Sequence, residues 1–375
     1  MDQFSPASLG KEGVTATNAG QRVFRRSRRH DLKAVQRELT KARSGRLCYF
    51  AGGTVTVTVG RLLIARVTGV HRCASIWSCP LCAPVMREAR AKDIELATAQ
   101  VIEAGGSALF LTATGPHRKG DALGPLFDLA ARFGHLCLMG RKWKEFQERF
   151  GYLGIIRAIE VTYGRPPFDN GWHPHVHALF FFDRLLTDAE VVELRTWLFS
   201  RWQGVLTTKG FGALHPVSGL DVRRVTEPAG LSEYLAAVEG GWSVGLELAR
   251  GDLKYKGKTP LDLLALFADT GDLVARALWL EYERVTFGRR AIQWSPGLRA
   301  KVLPDVVELT DEEAASAEGE DEVLVSIPFF GDDWNGWVRA NRVKEVLREV
   351  EETAALLLWM SGHVVEVNER TLVDA

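Results

Sequence analysis

The sequence has no long apolar run. No stretch of its 375 residues approaches the ~18–20 consecutive apolar residues that span a bilayer, and "ALLLW" at 355–359 is far too short. Its first residues, "MDQFSPASLGKEG", have neither the basic start nor the apolar centre of a secretory leader. It has no net charge, with 47 basic against 47 acidic residues, so its overall charge suggests no polyanionic partner. It shows no internal repeat, and cysteine is scarce, at five residues. These absences point to a cytoplasmic protein without a membrane partner, in a compartment where structural disulfides are rare.

What is present is ordinary globular composition, 46% hydrophobic and 25% charged, over a length that can build two or three packed units. The neutral total hides a segregation. Residues 22–46, "RVFRRSRRHDLKAVQRELTKARSGR", are strongly basic, and 305–322, "DVVELTDEEAASAEGEDE", are strongly acidic. Such blocks are usually solvated tails or linkers; a nucleic-acid contact is the sharper reading of the basic one. Short β-like pieces alternate with long helical ones without regular βα order, which predicts an α+β protein. The expected divisions are a basic, flexible segment at 1–45 with an amphipathic helical pattern at "DLKAVQRELTKA", a cysteine-rich module and helix at 46–104, a core at 105–304, an acidic linker at 305–322 and a small helical segment at 323–375.

Four of the five cysteines crowd between 48 and 82. "HRCASIWSCPLCAP" (71–84) contains a Cys-x-x-Cys, and Cys48 lies upstream across a β-like stretch. Zinc binds thiolates tetrahedrally, and a Cys-x-x-Cys supplies two ligands at a suitable bite. Cys48, Cys73, Cys79 and Cys82 are therefore expected to hold a structural zinc. The bland alternative is buried thiols or a redox pair, and His71 could replace one thiolate. Cys137 sits in a helical stretch and reads as core.

"GWHPHVHALFFFD" (171–183) places histidines at 173, 175 and 177. Alternation at a period of two is a strand signature, so the three imidazoles share a face. His173 stands at the strand entrance before Pro174, which puts its ring near the rim. His175 and His177 are spaced to share one ion, and imidazole suits Mn, Zn, Co, Ni or Fe. The alternative is the polar face of an edge strand. The strand "IIRAIEVTYG" (155–164) carries a single carboxylate, Glu160, which would be costly to bury unpaired. Two histidines and a carboxylate would leave coordination positions open for substrate, as catalysis requires.

These pieces resemble the HUH endonucleases, specifically the rolling-circle replication initiator (Rep) proteins of actinobacterial plasmids. The resemblance rests on the cysteine cluster, "FLTAT" (110–114), the "GWHPHVH" strand, "GLSEYLAAVEG" (230–240) and "GRRAIQWSPGLR" (288–299), and it covers about 46 to 300. It implies an HUH nuclease core, a central antiparallel sheet flanked by helices, with a small zinc module added. It implies a metal-dependent enzyme that nicks one strand of a plasmid origin, forms a 5′-phosphotyrosine adduct and frees a 3′-OH primer. The metal, Mn or Mg, would sit on His175, His177 and Glu160. The partners would be origin DNA, single-stranded at the nick, and the host replication machinery. Among six tyrosines, Tyr234 matches the family's nucleophile, with Tyr255 as the main rival and Tyr282 as a helix-face residue.

The chain departs from the family pattern near that tyrosine. The lysine that often follows is absent, since Leu235, Ala236, Ala237 and Val238 come next, and Lys254, Lys256 or Arg223 could take its place. The glutamate that activates water at termination is replaced by Gly230, with Glu227 or Glu233 as substitutes. Thr112 or Thr114 would line the DNA groove, and His117 would face solvent. "GRRAIQWS" reads equally as a phosphate and base contact or as a helix end followed by a core tryptophan. Two other functions compete. One is an HUH relaxase or single-strand transposase, against which the cysteine cluster and the 288–299 segment argue. The other is a non-enzymatic, zinc-dependent DNA-binding protein.

Overall fold

The computed structural model describes residues 12–164, 169–225, 257–317 and 322–360. The strands among them are β1 (Ala51–Gly60), β2 (Ala65–Val70), β3 (Ser107–Thr114), β4 (Tyr152–Gly164), β5 (Trp172–Phe182), β6 (Leu220–Arg224), β7 (Gly257–Lys258), β8 (Ile292–Trp294) and β9 (Val323–Phe329). The fold is α+β with two antiparallel sheets. The chain divides into two compact units. The first takes in residues up to Ser75, then Cys79–Cys82, and everything from Ala315; the second takes in Ile76–Ser78 and Ala83–Ala314. No helix among the described residues is long and apolar enough to cross a membrane.

The first unit is built on β1, flanked by β2 and β9, both antiparallel to it. Its "TVTVTV" run is β-branched at every position, which suits a pleated strand, and Val55, Val57 and Val59 are fully buried while the threonines point the other way. Pro328 sits in β9, at the edge of the sheet, where a missing N–H costs least.

Two features differ from the expectation. Residues 323–329 form a strand on β1, and only after it do the helices Gly331–Arg339 and Val343–Met360 follow. The period of two in "VLVSIPF" was masked by the helical pattern beyond it. The basic segment expected to be flexible does contain a helix at "DLKAVQREL", as its pattern suggested, but that helix is longer, Glu12–Leu39. Its Leu32, Lys33 and Gln36 are buried, Arg26 pairs with Glu351, and Asp31 pairs with Lys344, so its C-terminal part is packed along one side.

The second unit is a sheet of order β6-β3-β5-β4-β7, with β8 also pairing β4. Helices cover both faces. On one, Leu109, Leu111, Val176, Ala178 and Phe180 pack against Phe133, Phe146, Leu198 and Trp202. On the other, Phe110, Leu179, Phe181 and Ile156 pack against Ile94, Ala97 and Val101 of the helix Cys82–Glu103 and against Leu298 and Val302. A central strand covered on both sides must be apolar on both sides, which accounts for the unbroken "ALFFF" in β5. Cys137 is fully buried in the first of these cores, as expected.

Candidate metal centres

Register brings the histidine row and Glu160 together. In the β4–β5 pair Glu160 stands opposite His175 and Ala158 opposite His177; in the β3–β5 pair Thr112 stands opposite His177 and Thr114 opposite His175. Directly opposed residues project to the same face of an antiparallel sheet. Glu160, His175 and His177 therefore meet, and they are buried, at 5%, 4% and 0% exposure.

Both imidazoles aim Nε2 at one carboxylate oxygen. The His177 Nε2 to Glu160 Oε2 distance is 2.9 Å, and His175 Nε2 makes the same contact more tightly. The other ring nitrogens are held from behind: His175 Nδ1 donates to the His173 carbonyl at 3.3 Å, and His177 Nδ1 pairs with the Thr112 hydroxyl at 3.2 Å. A carbonyl can only accept, so the His175 proton sits on Nδ1, and in the neutral ring Nε2 presents a lone pair to a carboxylate. Two acceptors face each other only with a positive charge between them. A proton or a divalent ion resolves the contact. Ligands about 2.1 Å from an ion at right angles lie about 3 Å apart, which fits the 2.9 Å between His177 Nε2 and Glu160 Oε2, while His175 Nε2 stands closer than that. Burial alone would raise the Glu160 pKa; the His175 charge and the hydrogen bonds from both imidazoles outweigh it and hold the carboxylate well below its usual range.

The rim matches the sequence reading in part. His173 is half-buried, as expected of a rim residue, and its ring lies 5.0 Å from that of His175. His117, expected to face solvent, is instead half-buried and stacked on His173 at 4.5 Å. Thr112 supports His177, while Thr114 Oγ1 lies 3.5 Å from the Gly219 carbonyl. The support by Thr112 was missed in the sequence; its signal was the period-two parity of "FLTAT", which needed the β3–β5 register to become readable.

Tyr234 lies outside the described residues, as do Tyr255, Glu227, Glu233, Lys254 and Lys256. Tyr282 is buried and donates to the Trp77 carbonyl at 3.2 Å, a packing role. Arg223 is exposed and bonded to Asp221 at 2.5 Å. The "GRRAIQWS" stretch takes the structural reading in modified form. The helix Leu273–Thr286 ends just before it, Ile292–Trp294 then make β8 on β4, Trp294 packs against the core, and Arg289 binds Asp128 at 2.5 Å.

In the first unit Cys48, Cys73, Cys79 and Cys82 form a second cluster, all unbridged. The sulfur separations are 3.6 Å for Cys48–Cys82, 3.8 Å for Cys48–Cys79 and 3.9 Å for Cys73–Cys82. Four thiolates ~2.3 Å from a tetrahedral zinc lie about 3.8 Å apart, so the sulfurs stand where a zinc would hold them. Tyr49 and Ala74, which directly follow Cys48 and Cys73, have φ of 75° and 47°. Left-handed backbone at non-glycine residues is strained and persists where its surroundings impose it. The Cys82 N–H reaches Cys79 Sγ at 3.4 Å. Burial would raise the Cys79 thiol, but hydrogen bonds among the four sulfurs and the Lys33 ammonium outweigh it and hold Cys79 well below the ordinary thiol range. His71 is exposed and stays outside the cluster.

No family model and no solved structure matches the chain. Two curated proteins do. A "Neomycin resistance protein" from Streptomyces cyanogenus is 33% identical over an alignment of 135 positions, 30% of either chain. "Protein rep" from Streptomyces lividans is 30% identical over an alignment of 352 positions that covers 76% of this chain and 76% of its own. An identity sustained over three quarters of both chains reflects common descent, and the chain belongs to the plasmid Rep protein family of Streptomyces.

Proposed function

We propose that this protein initiates rolling-circle replication of a plasmid by nicking one strand of its origin, the reaction of the HUH nucleases that its motifs resemble. The observation that carries this reading is the convergence of His175, His177 and Glu160 on one buried face of the sheet, in a chain related to a protein named for replication. Of the two ions expected, Mn or Mg, the donor set of two imidazoles and a carboxylate suits Mn better, with positions left open. An ion held there supplies Lewis-acid polarisation of a phosphate oxygen. Glu160 and the two imidazoles hold a fixed position because their strands are locked in register and packed on both faces. Tyr234 is the nucleophile. Its oxygen bonds to the scissile phosphorus as the bond to the 3′ oxygen breaks; the phenolic proton leaves, and the departing oxygen takes up a proton to become the primer 3′-OH. The phosphotyrosine ester keeps the strand attached for later rejoining. The four cysteines hold a structural zinc. The partners are origin DNA and the host replication machinery, in the cytoplasm.

The test is a supercoiled plasmid carrying the cognate origin, incubated with purified protein and Mn²⁺ or Mg²⁺. Nicked circles with protein covalently attached are expected, and peptide mass spectrometry should place the adduct on Tyr234. An adduct that still forms in Tyr234→Phe removes that residue from the role. Full-rate nicking by His175→Ala would sink the metal reading.

A further inference from the structure

Lys33 is 1% exposed, on the helix Glu12–Leu39. Lysine is almost never buried to this degree unless its charge is matched. Its ammonium donates to Gln36 Oε1 at 2.6 Å, to the Gly45 carbonyl at 2.9 Å and to Cys79 Sγ at 3.6 Å. Two of these acceptors are neutral. The charge that matches the ammonium is therefore on the sulfur cluster.

Four thiolates around a divalent ion leave a net charge of minus two, buried with Cys48, Cys79 and Cys82 fully inside. An anion of that size needs donors aimed at its sulfurs. Cys79 Sγ has two, the Cys82 N–H and Lys33. Arg37, one helical turn further on, donates to the Cys48 carbonyl at 3.2 Å and to the Arg46 carbonyl at 3.2 Å, which adds positive charge to the same side.

We propose that Lys33 is a positioning residue of the four-cysteine centre, compensating its charge and coupling the helix Glu12–Leu39 to metal occupancy. The proposal rests on the zinc reading given above. With metal bound, the ammonium faces an anionic cluster and the helix stays docked. When the metal leaves, the ion that gathers the four sulfurs around Cys79 is lost, the buried ammonium loses its fixed partner, and the stretch that carries it is no longer held in place. By reciprocity, a helix that docks more readily with metal bound must also strengthen metal binding.

Lys33→Met keeps most of the side-chain volume and removes the charge. Zinc content of the full-length wild type is measured first; fewer than one zinc per chain would overturn the zinc reading and this proposal with it. With zinc present, release to a chromogenic chelator should be about tenfold faster in Lys33→Met, within the span usual for lost outer contacts to a metal ligand. Equal release rates overturn the proposal while leaving the zinc reading intact. Amide hydrogen exchange over residues 25–39 gives a second readout that wild type alone begins. Stripping the metal should raise exchange there in wild type and raise it less in Lys33→Met, which strands no charge. Protection in wild type that ignores the metal, or an equal rise in both proteins, counts against the coupling.

Discussion

Thr112 is the residue whose role depends most on geometry. Its hydroxyl holds His177 Nδ1, and through it the ring's orientation toward Glu160. Such outer contacts are commonly worth 10–100-fold in metal affinity. Thr112→Val is expected to weaken Mn²⁺ binding by about that factor in a titration, with Thr112→Ser restoring most of it; unchanged affinity in the valine variant would assign the hydroxyl no part in the site. Glu160 gives a pH signature in the metal-free protein. Its folded pKa is depressed, so it contributes stability that is present above the ordinary carboxyl pKa of about 4.3 and is lost as pH falls through the folded value. Urea midpoints should fall between about pH 5 and pH 3 in wild type and fall less in Glu160→Gln. Parallel curves would show that the carboxylate is not the group being protonated.

The strand β5 ties these residues to the fold. Its period-two histidines and the apolar run behind them were legible in the sequence, because side-chain alternation is a local property of extended backbone. Which strands lie beside it was not. β4 is near in sequence, but β3 is separated from β5 by three helices, and the pairing of Thr112 with His177 is a long-range choice made by packing on both faces. Phe180 is fully buried on the face opposite the histidines, among helices. Phe180→Ala should cost about 3–5 kcal/mol in denaturant unfolding, as for other large core truncations, and should lower metal affinity by loosening the strand. A loss under about 1 kcal/mol would mean that β5 does not depend on that core.

At the scale of the whole molecule, the two clusters belong to different units and to different chemistry. The thiolate set is closed and would hold zinc tightly; the imidazole–carboxylate set leaves positions open and suits a weaker, exchangeable ion. A mild chelator is expected to abolish nicking reversibly with little change in the thermal transition. A zinc-stripping chelator should also destabilise the first unit. A single loss of activity and structure together at the same chelator strength would contradict two separate centres. The first unit also shows what sequence proximity conceals. β9 completes a sheet begun by β1 although the residues of the second unit lie between them in the sequence, and nothing local in 323–329 names β1 as its partner.

The sequence by itself determined the side-chain types of the two clusters, the spacing that puts His175 and His177 on one face, the crowding of four cysteines, and the α+β class. These follow from backbone periodicity and side-chain chemistry, which act over a few residues. Only the tertiary structure decided that Glu160 meets both imidazoles, that Thr112 stands behind one of them, that the helix of the basic N-terminal stretch is docked, and that Lys33 is buried against Cys79. Those outcomes depend on strand register and on burial of charge, and both are fixed by contacts between residues distant along the chain.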